Sequence, residues 1–241
     1  MIKEILPGID IAYLALYIDS SVIISDVHIG YEESLTKQGV LIPRTQFKEL
    51  CKTLEIIFEI LKDKKIERFI INGDLKHEFG AISDEEWRNT LKFLDIIHRK
   101  CGEIIIVQGN HDTVIGPIAN KRAIKVVKEY LIGKTLIIHG DKAPQKELLK
   151  KVSNIIIGHE HPAISLNDGP KTETFKCFVK SKYKGKNLIA QPSFNPMIPG
   201  TNILYERPLG PMLKGNIKKS EVYVVGDSSN ILYFGKVKNI N

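Results

Sequence analysis

Cysteine is scarce in this chain: Cys51, Cys101 and Cys177 are the only three in 241 residues. An odd, widely spaced set fits free or buried thiols in a reducing cytoplasm better than a disulfide framework or a CxxC metal site. Long apolar runs are missing too, and none approaches the roughly 20 residues of a membrane helix. The N-terminal stretch MIKEILPGIDIAYLALY is broken by Glu4, Pro7 and Asp10, which makes a poor signal peptide. There is no internal repeat, no low-complexity tract and no clear linker. These absences lead to the expectation of one domain over residues 1–241, cytoplasmic and without membrane attachment. Acid is in the minority, with 28 Asp and Glu against 35 Lys and Arg, a formal charge of +7 and a pI near 9.1. A basic surface helps to collect polyanions such as nucleic acid, although charge alone equally describes a solvated lysine-rich surface.

What is present is a series of short Ile- and Val-rich runs that read as buried strands: Ala15–Ile18, Val22–Ser25, Phe69–Ile71, Ile104–Val107, Leu136–Ile138, Ile155–Ile157 and Asn187–Ala190. Helical patterns fall between several of them. From Thr45 to Lys62, Phe47, Leu50, Leu54, Ile57, Phe58 and Leu61 form a helical stripe just after Pro43. Ser83-Asp84-Glu85-Glu86 reads as a capping box opening a helix through Arg99. Ala143 to Lys151 reads as a short helix with Pro144 in its first turn. This alternation predicts α/β layering. Further on, Phe175–Ser181 and Asn187–Gln191 read as a hairpin about Tyr183-Lys184-Gly185-Lys186. Glu221–Val225 and Asn230–Val237 read as another about Gly226-Asp227-Ser228-Ser229. Residues 192–216, rich in Pro, Gly and Asn, read as a long surface loop.

Five of these strands end in chemistry. The motifs that follow them are Asp26-Val27-His28, Gly73-Asp74, Gly109-Asn110-His111-Asp112, His139-Gly140-Asp141 and Gly158-His159-Glu160-His161. In open α/β sheets the ligand site lies beyond the carboxyl ends of the strands. Side chains two apart on an extended strand share a face. Asp26 with His28, and His159 with His161, are thus expected each to aim two ligands at one place. Gly73, Gly109 and Gly158 allow sharp turns or close backbone approach. Carboxylates, imidazoles and one amide, without thiolate, suit Mn, Fe, Zn, Co or Ni. The set is too large for one open catalytic site, so two metals are implied, with Asp74 as the best candidate for a bridge.

Taken as an ordered set, these motifs resemble the signature of the calcineurin-like metallophosphoesterases. The resemblance implies a four-layer αββα sandwich of two mixed β-sheets flanked by helices. It also implies one metal on Asp26, His28, Asp74 and His161, and a second on Asp74, Asn110, His139 and His159. His111 would be the general acid or phosphate stabiliser, with Asp112 as a group that could orient it. Asp74-Leu75-Lys76-His77 resembles the Mre11/SbcD nuclease branch, in which the second histidine meets the phosphate region. His77 is accordingly a second catalytic candidate. The run from Asp26 to Glu32, Gly39, Ile42-Pro43 and Gln191-Pro192-Ser193-Phe194-Asn195-Pro196 resembles the small archaeal and bacterial SbcD-related phosphoesterases. That implies a Mn-dependent phosphodiesterase acting on DNA, RNA or nucleotides, with a link to DNA repair.

Two alternatives stay open at this point: a phosphoesterase for small molecules, and a metal-poor scaffold on the same fold. The lysines from Lys180 to Lys186, and Lys121, Arg122 and Lys125, are candidates for nucleic-acid contact or plain solvated surface. The 80 residues after His161 are few for a large capping domain, which argues against processive exonuclease action.

Overall fold

The computed structural model describes residues 2–80, 82–226 and 230–240. Its first sheet has seven strands in chain order: β1 (Ile2–Leu6), β2 (Ile9–Ala12), β3 (Ala15–Ile18), β4 (Ser21–Ile24), β5 (Arg68–Asn72), β6 (Glu103–Val107) and β7 (Lys125–Val127). β1 to β4 form an antiparallel meander, whereas β4 to β7 are parallel. Parallel neighbours need crossovers. Helices α1 (Tyr31–Lys37) and α2 (Gln46–Ile60) supply the first, α3 (Asp84–His98) the second and α4 (Gly116–Asn120) the third.

The second sheet holds β8 (Tyr130–Ile132), β9 (Thr135–Ile138), β10 (Asn154–Ile157), β11 (Pro162–Asp168), β12 (Lys171–Tyr183), β13 (Lys186–Ala190) and β14 (Thr201–Asn202). β15 (Glu221–Val225) and β16 (Ile231–Lys236) complete it. β9, β10 and β13 are parallel, and α5 (Lys146–Lys151) crosses from β9 to β10.

Strand alternation explains why the sheets stack. In β9, β10 and β13 the middle residues Ile137, Ile156 and Ile189 join the core shared with the first sheet. Their neighbours Leu136, Ile138, Ile155, Ile157, Leu188 and Ala190 face the other way, onto Leu149, Met212 and Leu213. The first sheet is covered on its far side by Leu50, Leu54 and Ile57 of α2 and by Phe93, Leu94 and Ile97 of α3. The order is helices, sheet, sheet, then α5 with loops: the expected αββα sandwich.

Several expectations need correction. Pro144 lies outside α5, which begins at Lys146. The capping box is only half formed. Ser83 Oγ accepts from the Glu86 amide at 3.0 Å, but the Glu86 carboxylate is used elsewhere, as described below. Residues 192–216 do not simply run over the surface, because Ser193, Phe194 and Asn195 are completely buried between the sheets. Of the turn Gly226-Asp227-Ser228-Ser229, residues 227–229 lie outside the described residues.

The hairpin between β12 and β13 is present, with Lys184-Gly185 at its tip. It points away from the candidate site. β13 runs parallel to β10, pairing Asn187 with Asn154 and Ala190 with Ile157. The tip therefore lies one strand length, about 13 Å, below the carboxyl ends. Lys121, Arg122 and Lys125 also have other occupations. Lys121 covers Trp87, Arg122 binds Asp95 and Lys125 sits over Tyr130.

Candidate metal centre

The carboxyl ends of β4, β5, β6, β9 and β10 meet at one rim, where six of the seven histidines gather. Asp26, His28 and His161 bring potential ligand atoms within 4.8 Å of one another, and so do Asp74, His139 and His159. Asp74 lies where the groups meet. Its Oδ2 is 3.3 Å from His139 Nε2, 3.8 Å from His28 Nε2 and 4.0 Å from His111 Nε2. His161 Nε2 is 3.0 Å from Asp26 Oδ1, and Asn110 Oδ1 is 3.0 Å from His139 Nε2.

Strand alternation does not produce this convergence. β4 stops at Ile24 and β10 at Ile157. Beyond them, and beyond the end of β5 at Asn72, Asp26, His28, Asp74, His159 and His161 all adopt left-handed backbone, with φ of 56°, 47°, 52°, 62° and 44°. Such angles are unfavourable for residues with a Cβ and mark functional sites. His159 and His161 do not share a target; the backbone aims them at different clusters. The expected pairing of that H-x-H motif on one spot is thus replaced by a division between two.

Close backbone approach requires the glycines. A Cβ on Gly109 would collide with the Asp74 carboxylate, and one on Gly158 with the Ser25 hydroxyl and the Asp26 carboxylate. Hydrogen bonds then lock the loops. The amides of Asp26 and His28 donate to the carbonyls of Gly73 and Asp74 at 3.1 and 2.8 Å. The His159 amide donates to Asp26, 3.1 Å from each oxygen. The His111 amide donates to Asp74 Oδ1 at 2.9 Å.

The histidine protons follow from their partners. His139 Nδ1 faces the Asn72 carbonyl at 3.2 Å, so a hydrogen lies there, and Nε2 is the nitrogen turned toward Asp74 and Asn110. Burial works against charge on His139, yet Asp74 and Asp26 hold its pKa up at about 10. Burial pushes His28 down to about 3 despite Asp26 and Asp74, leaving the neutral imidazole that binds metals. Burial, and then His139, lower His159 as well. Asp26 is held low: burial opposes its charge, but His161 and the neighbouring imidazoles outweigh it.

His28 Nε2 is buried with no hydrogen-bond partner. An unpaired buried polar atom facing carboxylates is costly unless a further group completes it. Imidazole nitrogens around two buried carboxylates form a donor set that fits divalent cations.

The remaining candidates lie beside the clusters. His111 Nδ1 faces the His77 carbonyl, so its Nε2 points into the site. His77 Nδ1 is 3.5 Å from His28 Nδ1, and its ring stacks on that of His111 with centroids 5.3 Å apart. Burial, and then His111, lower the His77 pKa. Asp112 does not orient the His111 ring. It is buried and accepts from the amides of Leu75 and Gly109, each at 3.1 Å, fastening the Asp74 and Asn110 loops together.

Sequence reasoning missed Glu86 and Lys176. The Glu86 carboxylate takes the amides of His77 and Glu78 at 2.7 and 3.1 Å, fixing the backbone next to Asp74. Its capping-box position was the only local signal, and it pointed elsewhere. The Lys176 ammonium binds the carbonyls of Ser193 and Asn195. Ser193 Oγ in turn donates to the Asp26 carbonyl at 2.8 Å, and Asn195 Nδ2 donates to the His28 carbonyl at 3.4 Å. The second sheet thereby steadies the ligand loop of the first.

The chain is similar to several solved structures. A nuclease, MPE, from Pseudomonas putida superposes with a TM-score of 0.64 at 18% identity, covering 94% of each chain. Yfce, a phosphoesterase from E. coli, superposes at 0.35 with 13% identity, over 88% of this chain and 96% of that one. Zinc-complexed Vps29 from Entamoeba histolytica superposes at 0.37 with 15% identity, over 89% and 99%. Among curated proteins, no sequence matches. The model for the calcineurin-like phosphoesterases matches residues 21–189, a span that contains every one of the five motifs. The chain belongs to the calcineurin-like phosphoesterase family and is a hydrolase of phosphate esters.

Proposed function

We propose that residues 1–241 act as one metallophosphoesterase domain that hydrolyses phosphodiesters of nucleic acids or nucleotides with two divalent ions, Mn²⁺ foremost. The observation that carries this reading is Asp74, a buried carboxylate that belongs to the cluster with His139 and His159 and also lies 3.8 Å from His28 of the other cluster. Asp26, His28, Asp74 and His161 would hold one ion, and Asp74, Asn110, His139 and His159 the other. The unpaired His28 Nε2 and the five left-handed residues support a site built around cations. Divalent ions bound there supply Lewis-acid activation of a water molecule and of the phosphoryl group.

The chain's own residues do the rest. With Nδ1 committed to the His77 carbonyl, His111 keeps Nε2 for the reacting phosphate. Protonated, that nitrogen gives its proton to the departing alkoxide as the phosphorus–oxygen bond breaks. His77, beside both His28 and His111, meets the phosphate oxygens. Glu86 and Asp112 keep the loops from shifting.

Room for a second ester arm supports diesters over monoesters. A cleft of about 470 Å³ runs past Asn110 and His139 to Gln145, with Lys128 and Lys142 on its walls. Lysines along a groove give sequence-independent phosphate contact. The Pseudomonas putida protein of this fold is a nuclease, which accords with the reading without carrying it.

The test is hydrolysis of bis-p-nitrophenyl phosphate against p-nitrophenyl phosphate, after chelation and reloading with excess Mn²⁺. Strong preference for the diester is expected. Preference for the monoester overturns the reading.

A further inference from the structure

Phe79 is the large apolar side chain placed most oddly for its chemistry. It is 56% exposed, yet its ring centroid lies only 3.7 Å from that of His111, with the planes 31° apart. One ring face covers the imidazole, and much of the ring meets water. An exposed phenylalanine on a loose loop would carry no meaning. This one is held on a pinned segment. Thr113 Oγ1 donates to the Phe79 carbonyl, Lys76 Nζ to the Glu78 carbonyl, and the amides of His77 and Glu78 to Glu86. Lys76 itself is fully buried. The backbone of three successive residues, His77 to Phe79, is thus fixed, and the ring is presented rather than left to wander.

Thr113 also lines the cleft that carries Lys128 and Lys142. Phe79 therefore stands at the cleft's edge, beside His111. A second aromatic ring, Tyr31, lies edge-on to His77 at 5.0 Å, so each of the two catalytic candidates has an aromatic neighbour.

We propose that Phe79 is a stacking platform for the nucleobase adjoining the scissile phosphate, which makes nucleotide-containing esters the preferred substrates. The proposal rests on the phosphoesterase reading of the same site and adds the class of the substrate's organic arm. Every nucleobase offers a π-face, so such a platform is indifferent to sequence. Lys128 and Lys142 would then serve the backbone of the continuing strand, with the salt dependence that phosphate contacts bring.

The experiment uses the whole chain loaded with Mn²⁺ and hydrolysing bis-p-nitrophenyl phosphate. Thymidine 5′-monophosphate and deoxyribose 5-phosphate, which differ by the base alone, compete as inhibitors. For the unmodified protein the nucleotide should inhibit about tenfold more tightly, the scale of one base stacking on one aromatic ring. Phe79→Ala and Phe79→Leu should bring the two inhibition constants together, and Phe79→Trp should restore the gap. Fluorescence of the introduced indole should also be quenched by the nucleotide and not by the sugar phosphate. Equal inhibition by both compounds in the unmodified protein overturns the proposal. So does a gap that survives Phe79→Ala, or a fall in kcat with the gap unchanged, which would mean that the ring only steadies His111. The two readings fail separately. Preference for the monoester sinks the diesterase reading while the inhibitor gap can still be read.

Discussion

The rim and the hairpin tip lie at opposite ends of the second sheet's parallel strands, and they use polar residues in opposite ways. At the rim, Asp26, His28, Asp74 and His139 are buried and touch one another. At the tip, lysines face solvent or surface partners: Lys182 reaches Asn187 Oδ1, Lys180 pairs with Glu221 and Lys184 covers Tyr183. Backbone strain divides the same way. Among the described residues ten that are not glycine have positive φ, and five of them are candidate metal ligands. The tip holds one, Lys184 at 45°, where a two-residue hairpin turn demands it. A dense run of charge in the sequence thus marks a turn, while sparse Asp and His residues after apolar runs mark the chemistry.

The comparison can be broken most severely at Asp74. Asp74→Asn should lower turnover of bis-p-nitrophenyl phosphate by about a thousandfold or more, on the scale of losing metal-centred charge stabilisation. Metal analysis of the purified variant should show less bound ion. Full metal content with full activity would reject the bridge. Next, His111→Ala should keep its metals and lose about a hundredfold in rate for diesters with alkoxide leaving groups. The loss should be smaller for p-nitrophenolate, which needs no proton. If that variant came out metal-free, His111 would be a ligand.

Lys176→Met removes an ammonium shared by two buried carbonyls and should cost about 1–3 kcal/mol in urea unfolding. It carries a pH signature as well. Burial pushes Lys176 down from 10.5 to about 7, with Asp26 opposing. Between those values the unfolded chain holds a proton that the folded chain has released. Stability from this group therefore rises with pH across that window. The variant should lose that part of the slope, and an identical slope would mean that Lys176 stays charged. Smallest of all is the tip. Changing Lys182, Lys184 and Lys186 together to Gln should alter cleavage of a small diester or of DNA by less than about twofold, as expected of solvated charges far from the site. A large selective loss on DNA would show that substrate reaches the far end of the strands.

The sequence made the rim legible because each ligand motif directly follows a buried run, and runs such as Ile104–Val107 and Ile155–Ile157 identify themselves by composition. It did not disclose how the ligands converge. Nothing local in Asp26-Val27-His28 announces left-handed backbone; that state is held by hydrogen bonds from the Asp26 and His28 amides to the carbonyls of Gly73 and Asp74, nearly fifty residues away. α1 was invisible because Tyr31–Lys37 is short, mostly polar, and preceded by Gly30 without a side-chain cap. β1 escaped because Lys3 and Glu4 interrupt its apolar pattern. Ser193 to Asn195 looked like loop because Pro and Asn favour turns, yet their polar groups are satisfied by the ends of β4 and by Lys176. Such partners lie outside any sequence window.

The contact between the His159 amide and Asp26 spans 133 positions of chain. Each sheet alone owns an incomplete set of ligands, so neither half could assemble the proposed centre before the other had docked. Contacts so distant in sequence form late and slow folding. Metal uptake would then be the last event in the maturation of the protein and a report that the sandwich has closed correctly. Once in place, the ions would act as rivets across the seam. A cell short of metal would accumulate not merely an idle enzyme but a chain whose two sheets part more readily.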